Sequence, residues 1–454
     1  MPYSKPSFKS NGLKIYSQQG QQNLLALHQS NPQRYPFLLE SVASSDSSHF
    51  DILFAFPQET LTLSNQNKLS GYTDIEGDDF LNNLSHWWQT KRDNSINCET
   101  LPFSGGWFLY LGYELAKQVE AHLKLKTPST PIAYASRIPA AIIYDHNENC
   151  TYSICEEQFN YLEQLTSDIG QTDGKAGNSP LVSGKIQEED EKQYLNSIKK
   201  VKQYIVDGDI FQANLSRLWK MQDCKASAVD LYKKLRKTNP APFAGLAIHN
   251  DFSIISSSPE RLISVKNGLA QTRPIAGTRK REKEKEKDEA LKSELMSHPK
   301  ERAEHIMLID LERNDLGRIC TPGTIKVDEL MVLESYAHVH HIVSNVCGRL
   351  KDGILPGEVI KAVFPGGTIT GCPKVRCMEI IAELETEARG AYTGSMGYLN
   401  HNGDMDINIL IRTITLENNT LYFRAGAGLV ADSVAQSELE ETRHKARGLL
   451  LALQ

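Results

Sequence analysis

No apolar stretch in these 454 residues reaches the ~18 that a membrane-spanning helix needs, so none is expected. The first segment, MPYSKPSFKSNGLKIYSQQG, lacks the apolar centre of a secretory signal. A basic excess is also missing. Lys and Arg total 50 against 56 Asp and Glu, a net charge of -6, with no long basic stripe. Nucleic-acid binding driven by phosphate neutralisation is therefore disfavoured. The eight cysteines form no CxxC, and no His pair sits at zinc-finger spacing, so they read as reduced thiols in a cytoplasm. There is no internal repeat and no GxSxG element. Gly426 to Ala431 reads GxGxxA, but only one helix comes after it, which leaves no room for a dinucleotide fold. Gly366 to Lys374 has spaced glycines and a Lys but departs from the P-loop pattern. Both remain candidate turns for an anionic oxygen.

What is present suits a packed globular protein: 40% hydrophobic and 23% charged residues are enough to bury a core. At roughly 150 residues per domain the length suggests about three domains, and two intimate halves are equally allowed. Residues 1–165 read as one mixed unit, with strand-length apolar runs at Phe37–Ser41, Phe50–Phe56 and Gly105–Tyr113. Residues 166–186 are rich in Gly, Ser, Asp and Asn and read as a linker or mobile loop. Residues 187–454 form a third segment. Helical spacing predicts helices near 189–206, 228–236, 298–312, 374–386 and 433–453. Strands are expected at Phe252–Ser257, Arg261–Val265, Asp406–Leu416 and Leu421–Val430, the last two as a hairpin.

Two carboxylate pairs stand out. Glu438 and Glu441 share a stripe with Lys445 on the last helix, and Glu301 and Glu304 are also three apart. Facing one another, the pairs would make an oxygen-rich pocket suited to a hard divalent cation such as Mg²⁺. On periodicity alone, solvated salt-bridged faces account for them as well. In MDINILIRTITL, Ile407, Ile409 and Ile411 point one way and Asn408, Leu410 and Arg412 the other. An Arg among apolar neighbours needs an anion, from the protein or from a ligand. His341 in isolation reads as a structural histidine.

SPER (Ser258 to Arg261), RPIAGT (Arg273 to Thr278), ERAEHIMLIDLERNDLGR, HVHHIVS, FPGGTITGCPKVRCMEII, GYLNHNGDMDINILIRT and GAGLVADSVAQSELEET occur in this order. Together they closely resemble the chorismate-utilising enzymes: anthranilate synthase component I, aminodeoxychorismate synthase component I, and the isochorismate and salicylate synthases. The resemblance is dense over 187–452 and weaker over 1–165. It implies an α+β fold of two antiparallel sheets packed as a sandwich and surrounded by helices. It makes Glu304 and Glu441 the principal Mg²⁺ ligands, with Glu301 and Glu438 beside them. Glu260 becomes the general acid/base and His341 an active-site histidine. Thr278 and Ala276 join them in the catalytic set. Thr368, Tyr392, Arg412, Gly426, Ala427, Gly428 and Lys445 become substrate contacts. LLES and NPAPF resemble the family's tryptophan pocket, which would comprise Leu39, Ser41, Asn239, Pro240, Pro242 and Phe243.

FQANLSR, SSSPERL, VHHIVS and FPGGTITG resemble the aminodeoxychorismate branch. The implied activity is amination of chorismate at C4, toward p-aminobenzoate and folate. The ammonia would come from a separate glutamine amidotransferase subunit. Ala276 departs from that branch, which commonly carries a nucleophilic Lys in PIKGT. An Ala cannot attack, so anthranilate formation by amination at C2 stands as the alternative.

Overall fold

The computed structural model describes residues 10–43, 49–171, 184–282, 284–335 and 339–454. The side chains of Thr278 and Lys300 lie outside the described set. The chain forms two large antiparallel sheets, of 12 and 11 strands, and a short pairing of Ser10–Asn11 with Asn97–Cys98. In the first sheet, Gln212–Met221 pairs with Thr420–Leu429, then come Thr413–Glu417, Phe252–Ser258, Phe243–His249, Phe37–Glu40, Phe50–Ala55, Ala140–Asp145, Cys150–Glu156 and Leu13–Gln19. The second runs from Ile275–Lys280 through Val339–Arg349, Leu269–Thr272, Arg261–Lys266, Met405–Asn408, Ser395–Asn400, Gly106–Leu111 and Ala133–Ile138 to Thr60–Leu63 and Leu69–Ser70.

The sheets face each other across an aromatic core. Phe37 of the first stacks on Phe108 of the second, ring centres 4.0 Å apart. Such a pair adds about 0.5–1.5 kcal/mol beyond the area it buries. Alternate residues of one strand serve different cores. Ala141 and Ile143 face the space between the sheets, while Ala140 and Ile142 pack outward. The outward faces are covered as well. Helices Ala228–Thr238 and Ala435–Ala452 pack on the first sheet, and Phe80–Lys91, Pro299–Ile319 and Pro356–Val363 on the second. Strands covered on both faces read as near-continuous apolar runs, which is why AAIIY has no polar alternation. The expected helix-wrapped sandwich is the observed fold.

One detail bears on how the segments relate, and two differ from expectation. Strands from residues 10–156 lie inside both sheets beside strands from 212–429, so the segments 1–165 and 187–454 share their cores. Residues 162–171 form a helix that buries Leu165 and Ile169, so the expected linker loses its first six positions; 172–183 lie outside the described residues. The expected strand 406–416 is two strands. Met405–Asn408 belongs to the second sheet and Thr413–Glu417 to the first. The chain changes sheets between them, at Arg412, whose φ is +53°. The hairpin beyond it forms as expected, Glu417 opposite Thr420, with Asn418 and Asn419 at positive φ in the turn.

Candidate active site

A second crossing lies beside the first. Phe252–Ser258 is in the first sheet, Arg261–Lys266 in the second, and Pro259–Glu260 joins them. The crossings are stitched together by the Ser257 N–H to the Arg412 carbonyl (3.1 Å) and the Ile409 N–H to the Glu260 carbonyl (3.0 Å). The Ser258 hydroxyl also donates to the Ile409 carbonyl. One carboxyl and one guanidinium are thereby fixed at the seam between the sheets.

Glu260 is 6% exposed. Burial pushes its carboxyl up to about 7; the Thr368 side chain, the Ile275 N–H and the charge of Lys445 oppose the rise. The group is therefore largely protonated below neutral pH and poised to donate. Thr368 sits on the one-turn helix Gly367–Ile369, anchored through its carbonyl by Asn214 Nδ2 at 2.9 Å. Among the described residues its buried hydroxyl makes no hydrogen bond of ordinary geometry. The buried Gln212 Oε1 is likewise unpartnered, and Gln212 Nε2 lies where a Cβ on Gly428 would sit, 2.5 Å away. Unsatisfied buried polar atoms are costly unless a ligand meets them.

Arg412 is the cationic counterpart. Burial lowers its pKa while Tyr392 opposes, but a guanidinium stays charged. It donates to Asn239 Oδ1 at 3.1 Å. Among the described residues it has no carboxylate partner, whereas buried Arg389 and Arg424 share Glu385 and Arg217 has Glu188. Beyond Phe423, strand Thr420–Leu429 is paired only with Gln212–Met221, because its other neighbour leaves the sheet at Thr413. Gly426, Ala427 and Gly428 lie on that half-open edge. A Cβ at Gly426 would come 2.7 Å from the Tyr392 hydroxyl, so the missing side chain keeps room for that phenol.

On the second sheet, the pairing of Ile275–Lys280 with Val339–Arg349 slips by one residue at Gly277, whose φ is +66°. This bulge aims the Gly277 carbonyl at His341 Nδ1, 3.3 Å away. Burial drops the imidazole to about 4; the Gly277 carbonyl opposes, and Arg412 adds to the fall. The ring is neutral near pH 7, with Nδ1–H donating and Nε2 left as the acceptor nitrogen. A Cβ on Gly277 would lie 2.8 Å from Glu301 Oε2, so this carboxylate abuts the bulge.

A model of chorismate-binding enzymes matches residues 35–451. The chain belongs to the chorismate-binding enzyme family. It is 42% identical over 81% of its length to aminodeoxychorismate synthase component 1 of Bacillus subtilis, 81% of which is covered. It is 40% identical to anthranilate synthase component 1 of Acetivibrio thermocellus, over 79% of this chain and 77% of that one. Anthranilate synthase component I of Streptococcus pneumoniae superposes with a TM-score of 0.79 at 32% identity, covering 89% of this chain and 93% of that one.

The chorismate-binding fold brings Glu260, Thr368, His341, Arg412, Tyr392 and the 426–428 edge to one seam. The carboxylate pairs border it. Glu301 accepts from Arg279 at 3.1 Å. Glu441, more exposed, pairs with Lys445 at 2.8 Å, and Lys445 in turn acts on Glu260. Glu304 and Glu438 are half-buried on the same two helices. Among the described residues, no three His, Cys, Asp or Glu side chains converge as a ready-made metal cage. Ala276 is buried opposite Ile342, and the Thr278 backbone pairs with His341.

The expected tryptophan pocket divides. Leu39, Ser41, Pro242 and Phe243 line a cavity of about 80 Å³ with Tyr398, Met396 and Asn408. Asn239 and Pro240 do not line it. Asn239 turns instead toward Ser257 and Arg412. Glu312 escaped the sequence reading. It is buried on helix Pro299–Ile319 and pushed up to about 8 by burial, with Asp315 and Glu260 adding and Lys374 opposing. An acidic residue within an apolar helix stretch was its only signal.

Proposed function

We propose that this chain is the chorismate-aminating component of an aminodeoxychorismate synthase, a cytoplasmic enzyme that takes ammonia from a glutamine amidotransferase subunit. The carrying observation is a buried Glu260 carboxyl that burial pushes up to about 7, on a crossing hydrogen-bonded to the one that carries Arg412, a guanidinium with no carboxylate partner among the described residues. Chorismate carries two carboxylates and, at C4, a hydroxyl that leaves poorly. Glu260 gives its proton to that oxygen, which departs as water. Ammonia forms the new C–N bond at C4 and returns a proton to the Glu260 carboxylate. Arg412, Tyr392 and the backbone at 426–428 hold the enolpyruvyl carboxylate. Thr368 and neutral His341 orient the ring.

The all-oxygen donor set suits Mg²⁺, which often takes only one or two protein carboxylates and completes its shell with water and substrate. Glu304 and Glu441 would hold it, with Glu301 and Glu438 beside them. When bound it supplies positive charge for the ring carboxylate. Glu441→Ala should abolish Mg²⁺-dependent turnover while the fold persists; unchanged turnover would remove Glu441 from the site.

A second reading, anthranilate synthase, is favoured by Ala276. With no amine there, no covalent step at C2 can precede amination at C4, and ammonia attacking C2 would give anthranilate plus pyruvate. The similarity to the Bacillus subtilis protein supports the first reading. One incubation with chorismate, Mg²⁺ and ammonium decides. Aminobenzoate formed only after aminodeoxychorismate lyase is added supports C4 amination. Anthranilate and pyruvate formed directly overturn it.

A further inference from the structure

We propose that Asn239 is a positioning residue that holds Arg412 on target for an anionic group without neutralising its charge. The proposal rests on the reading of Arg412 as a substrate-carboxylate contact. A buried arginine is ordinarily satisfied by a carboxylate, and this protein follows that rule at Arg217, Arg389 and Arg424. Half-buried Arg412 has no such partner among the described residues, and Asn239 takes the carboxylate's place. Its Oδ1 accepts one guanidinium N–H at 3.1 Å. An amide oxygen fixes the direction of the fork and leaves both the full charge and the remaining N–H groups for an incoming anion.

The amide is itself held from several sides. The Asn239 N–H caps helix Ala228–Thr238 by donating to the Leu235 carbonyl at 2.8 Å. Its Nδ2 donates to the Ser257 carbonyl at 3.1 Å, and the Ser257 hydroxyl donates back to the Asn239 carbonyl. Because Ser257 offers a carbonyl and Arg412 only donors, the amide has one satisfactory orientation, with Oδ1 toward the guanidinium. Behind it, Gly448 of the last helix lies so close that a Cβ there would come 3.1 Å from Oδ1. Ser257 completes the clamp, since its N–H binds the Arg412 carbonyl. One Asn thus ties a helix end, the crossing at Ser257 and the Arg412 guanidinium of the other crossing into a single frame.

The test separates charge from shape. Steady-state kinetics of the full chain with chorismate, Mg²⁺ and ammonium would compare Asn239→Asp, Asn239→Ala and Arg412→Lys, each checked by thermal unfolding. Asn239→Asp keeps the size and the acceptor but neutralises the guanidinium. Its KM for chorismate should rise about ten- to hundredfold, the range of a charge-assisted hydrogen bond, with a smaller change in kcat. Asn239→Ala loses the acceptor without adding charge, and its KM should rise less. Equal KM values for the two folded variants, or an unchanged KM in folded Asn239→Ala if the Asp variant does not fold, would overturn the proposal. An unchanged KM in Arg412→Lys would instead sink the reading of Arg412 on which it rests.

Discussion

Pro259–Glu260 carries the chain from the first sheet to the second, and Ile409–Arg412 carries it back. The crossings are hydrogen-bonded to each other and largely withdrawn from water, yet desolvation acts differently on the groups they carry. It raises the Glu260 carboxyl to about 7, which makes that side chain a neutral proton store. It lowers the Arg412 guanidinium too, but from a value so high that the charge remains. The same desolvation thus yields a switchable acid and a permanent cation in adjoining positions. The acid should answer to pH and the cation to changes in charge.

The largest effect should come from removing the acid. Glu260→Gln fills the same volume without a transferable proton and should cost about 10²–10⁴-fold in kcat, the usual worth of general acid catalysis. Thermal unfolding should stay near that of the unchanged chain. If turnover survives, Glu260 is a structural carboxyl and the contrast between the crossings disappears. The pH profile sharpens the same contrast. Glu260 must be protonated to donate, so kcat at fixed free ammonia should be high below pH 7 and fall as pH rises through about 7. Arg412→Lys should keep that alkaline limb in place, because its charge persists across the range. A limb that vanished with Arg412 would mean that the titrating group is not Glu260.

Gly277→Ala tests the geometry around the crossings with a smaller effect. The left-handed φ costs about 1–2 kcal/mol for a residue with a Cβ, and that Cβ would stand 2.8 Å from Glu301 Oε2. We expect a lower unfolding midpoint and a weaker Mg²⁺ response, since the bulge supports both His341 and Glu301. A variant as stable and as Mg²⁺-responsive as the parent would show that the bulge is incidental.

The two crossings also show what was legible in the sequence. The break at Pro259 is audible because proline ends a strand. The break at Arg412 is silent: the alternation of MDINILIRTITL runs through it, and neither Gly nor Pro marks the left-handed residue. Helix positions were readable where an apolar stripe recurs, as in Glu191–Val206 and Ala435–Ala452. The start of the last helix was not. Asp432 and Ser433 have the chemistry of a cap, but Val434 occupies the N-cap and Ser433 serves the Val430 N–H. Asn239 read as a pocket residue because NPAPF resembles the family's tryptophan pocket; only the fold shows the helix end turning its side chain toward Arg412. Local pattern carries element type, whereas which neighbour a polar group meets depends on partners more than 150 positions away.

The smallest expected effect joins the crossings to the last helix. Lys445 pairs with Glu441 at 2.8 Å and also reaches Glu260, whose pKa it holds down. Lys445→Met removes a positive charge that favours the ionised carboxylate, so the Glu260 pKa should rise further. The alkaline limb of kcat should therefore move to higher pH, by a fraction of a unit, because Lys445 is partly exposed and water screens its charge. Arg412 gives no such response, having no proton to lose in this range. Lys445→Arg should restore the limb while Lys445→Met does not. If Lys445→Met moved the limb to lower pH, Lys445 would be acting on another group, and Glu260 would owe its value near 7 to burial and its Thr368 and Ile275 neighbours alone.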